Sequence, residues 1–262
     1  MRVFCRQWLL CLGLILTMPV SAAGNASLRL ASLEWAPYVS QHLPSEGLTS
    51  SIVRNAAQLA GLKTEIAYFP WSRVLAEGLN NPDFIGYFPS FYLKDREKSC
   101  YFSGPLGYSM IGFASLKQTH FNWQQLGDLQ AYRIGVVQDY ANGENFDALV
   151  RKKILQTDSA PTDISNLRKL LAGRVDVIVI DKYVLKQLLM IEAGLPAQKN
   201  EVVFHPRELT RFSMHVCFQR NAQGLEMQKQ FDAALSRLNI HKLEAQYFAQ
   251  FPVSASPDAN LP

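Results

Sequence analysis

Six residues, Val175 to Ile180 (VDVIVI), constrain the fold of this chain more than any others. All but Asp176 are apolar and β-branched. A strand with one wet face alternates apolar and polar residues, and this run does not. It reads as a strand covered on both faces, the pattern of a central strand in a parallel sheet. Such a strand needs a layer on each side, so the chain must supply helices.

It supplies them in alternation with strands. Ser27 to Leu33 alternates and reads as a strand. Leu48, Ile52, Val53, Ala56, Leu59 and Ala60 follow a helical spacing, with Gly61 as the stop. Lys63 to Phe69 reads as a strand. Trp71, Val74, Leu75 and Leu79 mark a helix with Pro70 at its start, and Asp83 to Phe88 is a third strand. This order argues an α/β layer with a largely parallel sheet.

A second unit follows Leu116. Gln118 to Leu129 is polar and loop-like, Arg133 to Val137 a strand, and Asn145 to Lys153 a helix. Ile164, Leu167, Leu170 and Leu171 form one face of a further helix, which Gly173 ends. After the apolar run comes a helix over Tyr183 to Ala193, stopped by Gly194 and Pro196. Glu201 to Phe204 and Ser213 to Gln219 read as two strands. Gly224 to Leu238 and His241 to Phe251 read as closing helices. The tail VSASPDANLP is expected to be disordered. Both halves put polar loops at strand C-terminal ends, where α/β sheets bind ligands.

The N-terminus points to export. Arg2 and Arg6 precede an apolar core, Trp8 to Met18, and Ser21-Ala22-Ala23 offers small residues for cleavage after Ala23. The core is too short to span a bilayer. Removal of residues 1–23 leaves 24 basic against 22 acidic residues, a net charge of +2. That is too weak for a nucleic-acid footprint. Apolar residues make up 48% of the chain, ample for a packed core. Two cysteines survive cleavage, Cys100 and Cys217. An exported pair can form a disulfide. Both lie in apolar, strand-like segments, which suits two buried thiols that never meet, and that is the expectation here.

Four ordered segments carry a resemblance. They are Trp35-Ala36-Pro37-Tyr38; Phe69-Pro70-Trp71 with Arg73 and Leu75; Asp83 to Leu106 (DFIGYFPSFYLKDREKSCYFSGPL); and Leu171 to Asp176 followed by Asp181. In order and spacing they resemble the bacterial extracellular solute-binding proteins of family three, the polar amino-acid-binding type. The similarity covers roughly Leu28 to Phe251. It implies a type II periplasmic-binding-protein-like α/β fold of two lobes, each a mostly parallel sheet flanked by helices. Lobe one would comprise residues 27–112 and 215–251, and lobe two residues 113–214. Two crossover strands, near Met110 to Phe113 and Phe212 to His215, would form the hinge. The resemblance further implies a monomer in the periplasm that closes on a small polar solute and passes it to an ABC permease.

The same resemblance assigns site residues. Arg96 matches the arginine that holds a ligand carboxylate, for which a planar guanidinium is well shaped. Asp181 matches the acid that accepts the ligand ammonium; its alternative use is a helix N-cap. Trp35 and Trp71 match positions that sandwich the ligand body, and their faces attract cations. Ser90 offers a hydroxyl before Arg96, and Arg73 is a further candidate anion ligand. The chain also departs from the pattern. Where small residues usually open an anion cradle, Gln138-Asp139-Tyr140-Ala141-Asn142 places an acid and a ring. Asp139 and Asp181 both follow strands of the second lobe and are expected to face the cleft. Two acids opposite two tryptophans favour a zwitterionic or cationic amino compound over a dicarboxylate.

No cofactor motif is present. H-E-x-x-H, G-x-S-x-G, P-loop and dinucleotide fingerprints are all missing. His42, His120, His205, His215 and His241 lie far apart, without metal-ligand spacing. A binding protein is therefore expected, with no cofactor, metal or nucleic-acid partner. The alternatives are an orphan sensor without a transporter and a periplasmic dehydratase on the same fold. An enzyme would need a positioned general acid, for which Glu34, Asp139 and Asp181 are the candidates.

Overall fold

The computed structural model describes residues 27–249 except 193. The proposed leader, its cleavage site and the tail lie outside the described residues. The elements in order are β1 (Ser27–Ser32), α1 (Leu48–Leu59), β2 (Lys63–Tyr68), α2 (Trp71–Asn80), β3 (Gly86–Phe91), β4 (Cys100–Phe102), β5 (Tyr108–Leu116) and β6 (Ile134–Val137). Then follow α3 (Glu144–Arg151), β7 (Thr157–Ala160), α4 (Asp163–Leu171), β8 (Val177–Asp181), α5 (Lys182–Ile191), β9 (Val202–Gln219), α6 (Ala222–Leu235) and α7 (Ile240–Ala249). No helix among the described residues is long and apolar enough to cross a membrane.

The strands run in the order β2-β1-β3-β9-β5-β8-β6-β7, with β4 also on β9. Two parallel units are visible in that order. β1 pairs in parallel with β2 and β3. β6 pairs in parallel with β7 and β8. Antiparallel strands join them. The last residues of β9 pair with β3 and β4, while the rest pairs with β5, which in turn pairs with β8. Four residues of the run read first from the sequence, Val177 to Ile180, fall in β8, which is buried at each of its five positions. It lies between β5 and β6, as a doubly covered strand should.

Three differences from the sequence reading have physical causes. The strands expected at 201–204 and 213–219 are one strand, β9. The charged stretch between them keeps its ladder to β5, and the register shifts where Pro206 lacks an N–H to donate. The third strand starts later than expected and runs through Pro89. Here too the ladder slips, between Tyr87 and Ser90, and the slip accommodates the proline. β7 was not expected at all. Its sequence, TDSA, is polar, and it occupies the sheet edge with three of four residues exposed or half-buried.

The expectation of two separate thiols is overturned. Cys100 and Cys217 form a disulfide with a Cα–Cα distance of 5.5 Å. Both are buried in apolar strands, as read, but those strands, β4 and β9, are antiparallel neighbours. The sequence separation of 117 residues hides this. β3 also passes tightly here: a Cβ on Gly86 would lie 2.2 Å from the Cys217 carbonyl oxygen. A bridge closing so long a loop stabilises a chain by about 2–5 kcal/mol. The double variant Cys100→Ser/Cys217→Ser should therefore melt roughly 5–15 °C lower by calorimetry. An unchanged melting temperature would mean that the bridge does not form.

Candidate ligand cleft

The C-terminal ends of β1 and β3 face those of β6 and β7, and a cleft lies between them. Leu33, Trp35, Trp71, Pro89, Phe91 and Arg96 form one wall of an inner cavity, and Tyr140 and Ala141 the other. Its free volume is about 30 Å³, room for about one water molecule. An outer groove of about 780 Å³ shares Leu33, Trp35, Trp71 and Tyr140 with the cavity and adds Glu34, Phe69, Asp163 and Leu188.

Aromatic contacts build both walls. Trp35 stacks on Tyr38 at 4.6 Å and meets Phe91 edge-on at 6.0 Å. Phe91 stacks at 4.5 Å on Phe212 of β9. Trp71 meets Tyr140 edge-on at 6.1 Å across the cleft, and its indole N–H donates to the Asp139 carbonyl oxygen at 3.1 Å. Such edge and offset geometries suit the ring quadrupole. The walls therefore touch, and a solute the size of an amino acid fits the inner cavity only when they separate.

Arg96 sits in a short 3-10 helix, Lys94–Lys98. Its acidic neighbours are engaged elsewhere: Asp95 with Lys98, and Glu97 with the Tyr92 hydroxyl. The guanidinium is half-buried, donates to the Ser90 hydroxyl at 3.4 Å and lies 5.9 Å from the Trp71 ring centre. Among the described residues no carboxylate pairs with it. Ser90 is fully buried and ties Arg96 to the Tyr87 hydroxyl at 3.2 Å. Arg96, Ser90, Trp35 and Trp71 are thus brought together. Trp35 both packs in the core, at 6% exposure, and lines the cavity.

The other three predicted site residues line neither space. Arg73 is paired with Glu77 at 3.2 Å on the exposed face of α2, its guanidinium over Phe69. Asp139 takes a left-handed backbone conformation and offers the cleft its carbonyl, with its side chain exposed. Asp181 is the N-cap of α5, the alternative use noted from the sequence. One carboxylate oxygen accepts the Tyr183 and Val184 N–H groups. The other accepts the Ser109 hydroxyl at 2.7 Å, the Met110 N–H at 3.0 Å and the Tyr38 hydroxyl at 3.1 Å. At 2% exposure, with both oxygens engaged, it fastens the loop after β1 to β5 and α5. Burial raises its pKa against these bonds.

One residue went unnoticed in the sequence. Asp163, in the first turn of α4, is 9% exposed and lines the outer groove. The Tyr140 hydroxyl donates to it at 3.2 Å. Burial, with Asp181 nearby, pushes its pKa up to about 7 against the pull of Tyr140. The Trp35 indole N–H is buried without a regular hydrogen bond, yet lies close enough to Asp163 to lower its pKa. The available signal was Pro161-Thr162-Asp163 ahead of a helix. Without β7 it read only as an ordinary helix start.

Two expected outcomes follow from these acids. Asn at 181 keeps a single acceptor oxygen and points an amide at donors. Asp181→Asn should lower ligand-free stability by about 1–3 kcal/mol, which denaturant titration would detect; an unchanged midpoint would make the five bonds dispensable. The native pKa of Asp163 lies above that of the unfolded chain, so the native state holds the extra proton. Its contribution to stability is full below pH ~4 and lost as pH rises through ~7. Asp163→Asn should flatten this decline, by up to about 4 kcal/mol. An unaltered stability profile between pH 4 and 8 would mean that Asp163 titrates as a surface acid.

No protein-family model and no curated protein sequence matches the chain. Solved structures do. An ancestral arginine-binding protein bound to arginine superposes with a TM-score of 0.70 at 16% identity, covering 85% of this chain and 98% of that one. The GluR0 ligand-binding core from Nostoc punctiforme, in complex with glutamate, gives 0.66 at 16% identity, with coverages of 85% and 98%. An ancestral amino-acid-binding protein, a precursor of cyclohexadienyl dehydratase, gives 0.66 at 16% identity, covering 85% and 95%. The chain shares the fold of these structures.

Proposed function

We propose that this protein is a periplasmic solute-binding protein. It captures a small amino compound bearing a carboxylate, closes over it by hinge motion and delivers it, as a monomer, to an ABC permease. The observation that carries this reading is Arg96. A half-buried guanidinium without an acid partner among the described residues, set in an aromatic cavity, calls for a carboxylate from outside. Its similarity in fold to proteins bound to arginine and glutamate supports an amino-acid-like solute. The signal-like N-terminus supports export. Residues 27–112 with 215–251 and residues 113–214 are the two bodies that would swing, with β5 and β9 between them. Contacts made from both bodies exist only when closed, so the solute shifts the population toward that state.

A thermal-shift screen of amino acids, polyamines and small organic acids would find the solute, because tight binding raises the melting point. Arg96→Ala should then weaken binding by roughly 2–5 kcal/mol, by analogy with buried charge pairs at interfaces. The ligand-free melting point should hold. Arg96→Lys should recover only part, because the planar fork is lost. Undiminished affinity in Arg96→Ala by calorimetry would return Arg96 to the surface charges and remove the ground for this reading.

A further inference from the structure

The wall of the cleft contains a buried acid that lacks a cation. The Tyr140 hydroxyl donates to Asp163 at 3.2 Å, and the Trp35 indole N–H lies beside it. Among the described residues no Lys, Arg or His pairs with it. A buried carboxylate with few donors is held toward its protonated form unless a cation or further hydrogen bonds stabilise the charge. Its surroundings suit a cation. The partition between Asp163 and the cavity of Arg96 is aromatic: Trp35, Trp71 and Tyr140 line both spaces. The groove also carries Glu34 and Glu192, with His42 and Tyr68, and among the described residues no Lys or Arg lines it. Asp181, the acid nearest behind it, is occupied by its five donors.

We propose that Asp163 receives the cationic group of the bound solute, with Trp35 and Tyr140 offering ring faces beside it. The ligand class is then a zwitterionic or cationic amino compound, its carboxylate at Arg96 and its ammonium or guanidinium at Asp163. This assignment rests on the capture reading above and moves the acid expected at Asp139 or Asp181 to a different strand end. It has a consequence for protons. Without solute, burial holds the Asp163 carboxyl protonated up to about pH 7. An arriving cation stabilises the carboxylate, so the O–H proton leaves to solvent as the solute binds. Tyr140 keeps its hydroxyl donation throughout. Affinity should accordingly rise with pH up to about 7 and level above it.

Calorimetry with L-arginine, L-lysine, L-glutamine and glutarate tests this. At pH 6, in two buffers of different ionisation enthalpy, the tightest binder should be an amino compound that releases close to one proton. Asp163→Asn, which mimics the protonated acid, should weaken that binder at least tenfold and abolish the release. The proton count uses the wild-type chain, so it stands whether or not the variant folds. If glutarate binds tightest, with loss in Arg96→Ala and none in Asp163→Asn, this inference is overturned and the capture reading survives. If none of the four binds up to millimolar concentration, both are overturned.

Discussion

β9 is the strand on which both sheet units depend. Its 18 residues run from the β5 ladder to the β3 ladder without a break. At the changeover, Tyr108 and Ser109 of β5 face Ser213 and Phe212 of β9. Asp181 is anchored to β5 just there, at Ser109 and Met110, and holds Tyr38 from the loop after β1. A buried acid is tolerated only when its lone pairs are filled, and these are. The pair of strands and the acid together fix where the two sets of loops meet. The cleft is a consequence of that meeting.

Charge and aromaticity divide the labour within it. Flat rings fill the space and join the walls through edge contacts. The charged groups sit at the ends: Arg96 by the inner cavity, Asp163 by the outer groove. Among the described residues neither has an oppositely charged partner. A protein that fully satisfied both would be more stable and would leave no charge free for the proposed solute. Asp181 marks the contrast, since its bonds are all internal and its part is architectural.

Much of the fold was legible because it rests on apolar patterns. VDVIVI declared a central strand, and Gly61 and Gly173 declared helix ends through the left-handed backbone that each adopts. What was hidden was pairing between distant segments. The Cys100–Cys217 bridge, the single β9 and the edge strand β7 all depend on neighbours that local patterns do not report. The site divided along the same line. The resemblance over contiguous motifs picked out Arg96, Ser90, Trp35 and Trp71, which the structure brings close together. Asp181 was found but given a role that its burial leaves no room for. Asp163 was missed because its significance comes from Trp35 and Tyr140, residues 128 and 23 positions away.

The most direct test is the distance between the two proposed bodies. The chain without its first 23 residues keeps only bridged cysteines, so spin labels can be placed on Gln58→Cys of α1 and Lys152→Cys beyond α3, both exposed. Pulsed dipolar spectroscopy would read the separation with and without the solute found by screening. The account predicts a broad or longer distribution without solute that collapses to one shorter distance when it binds, and no collapse in Arg96→Ala. An identical, narrow distribution in both conditions would contradict closure on the solute.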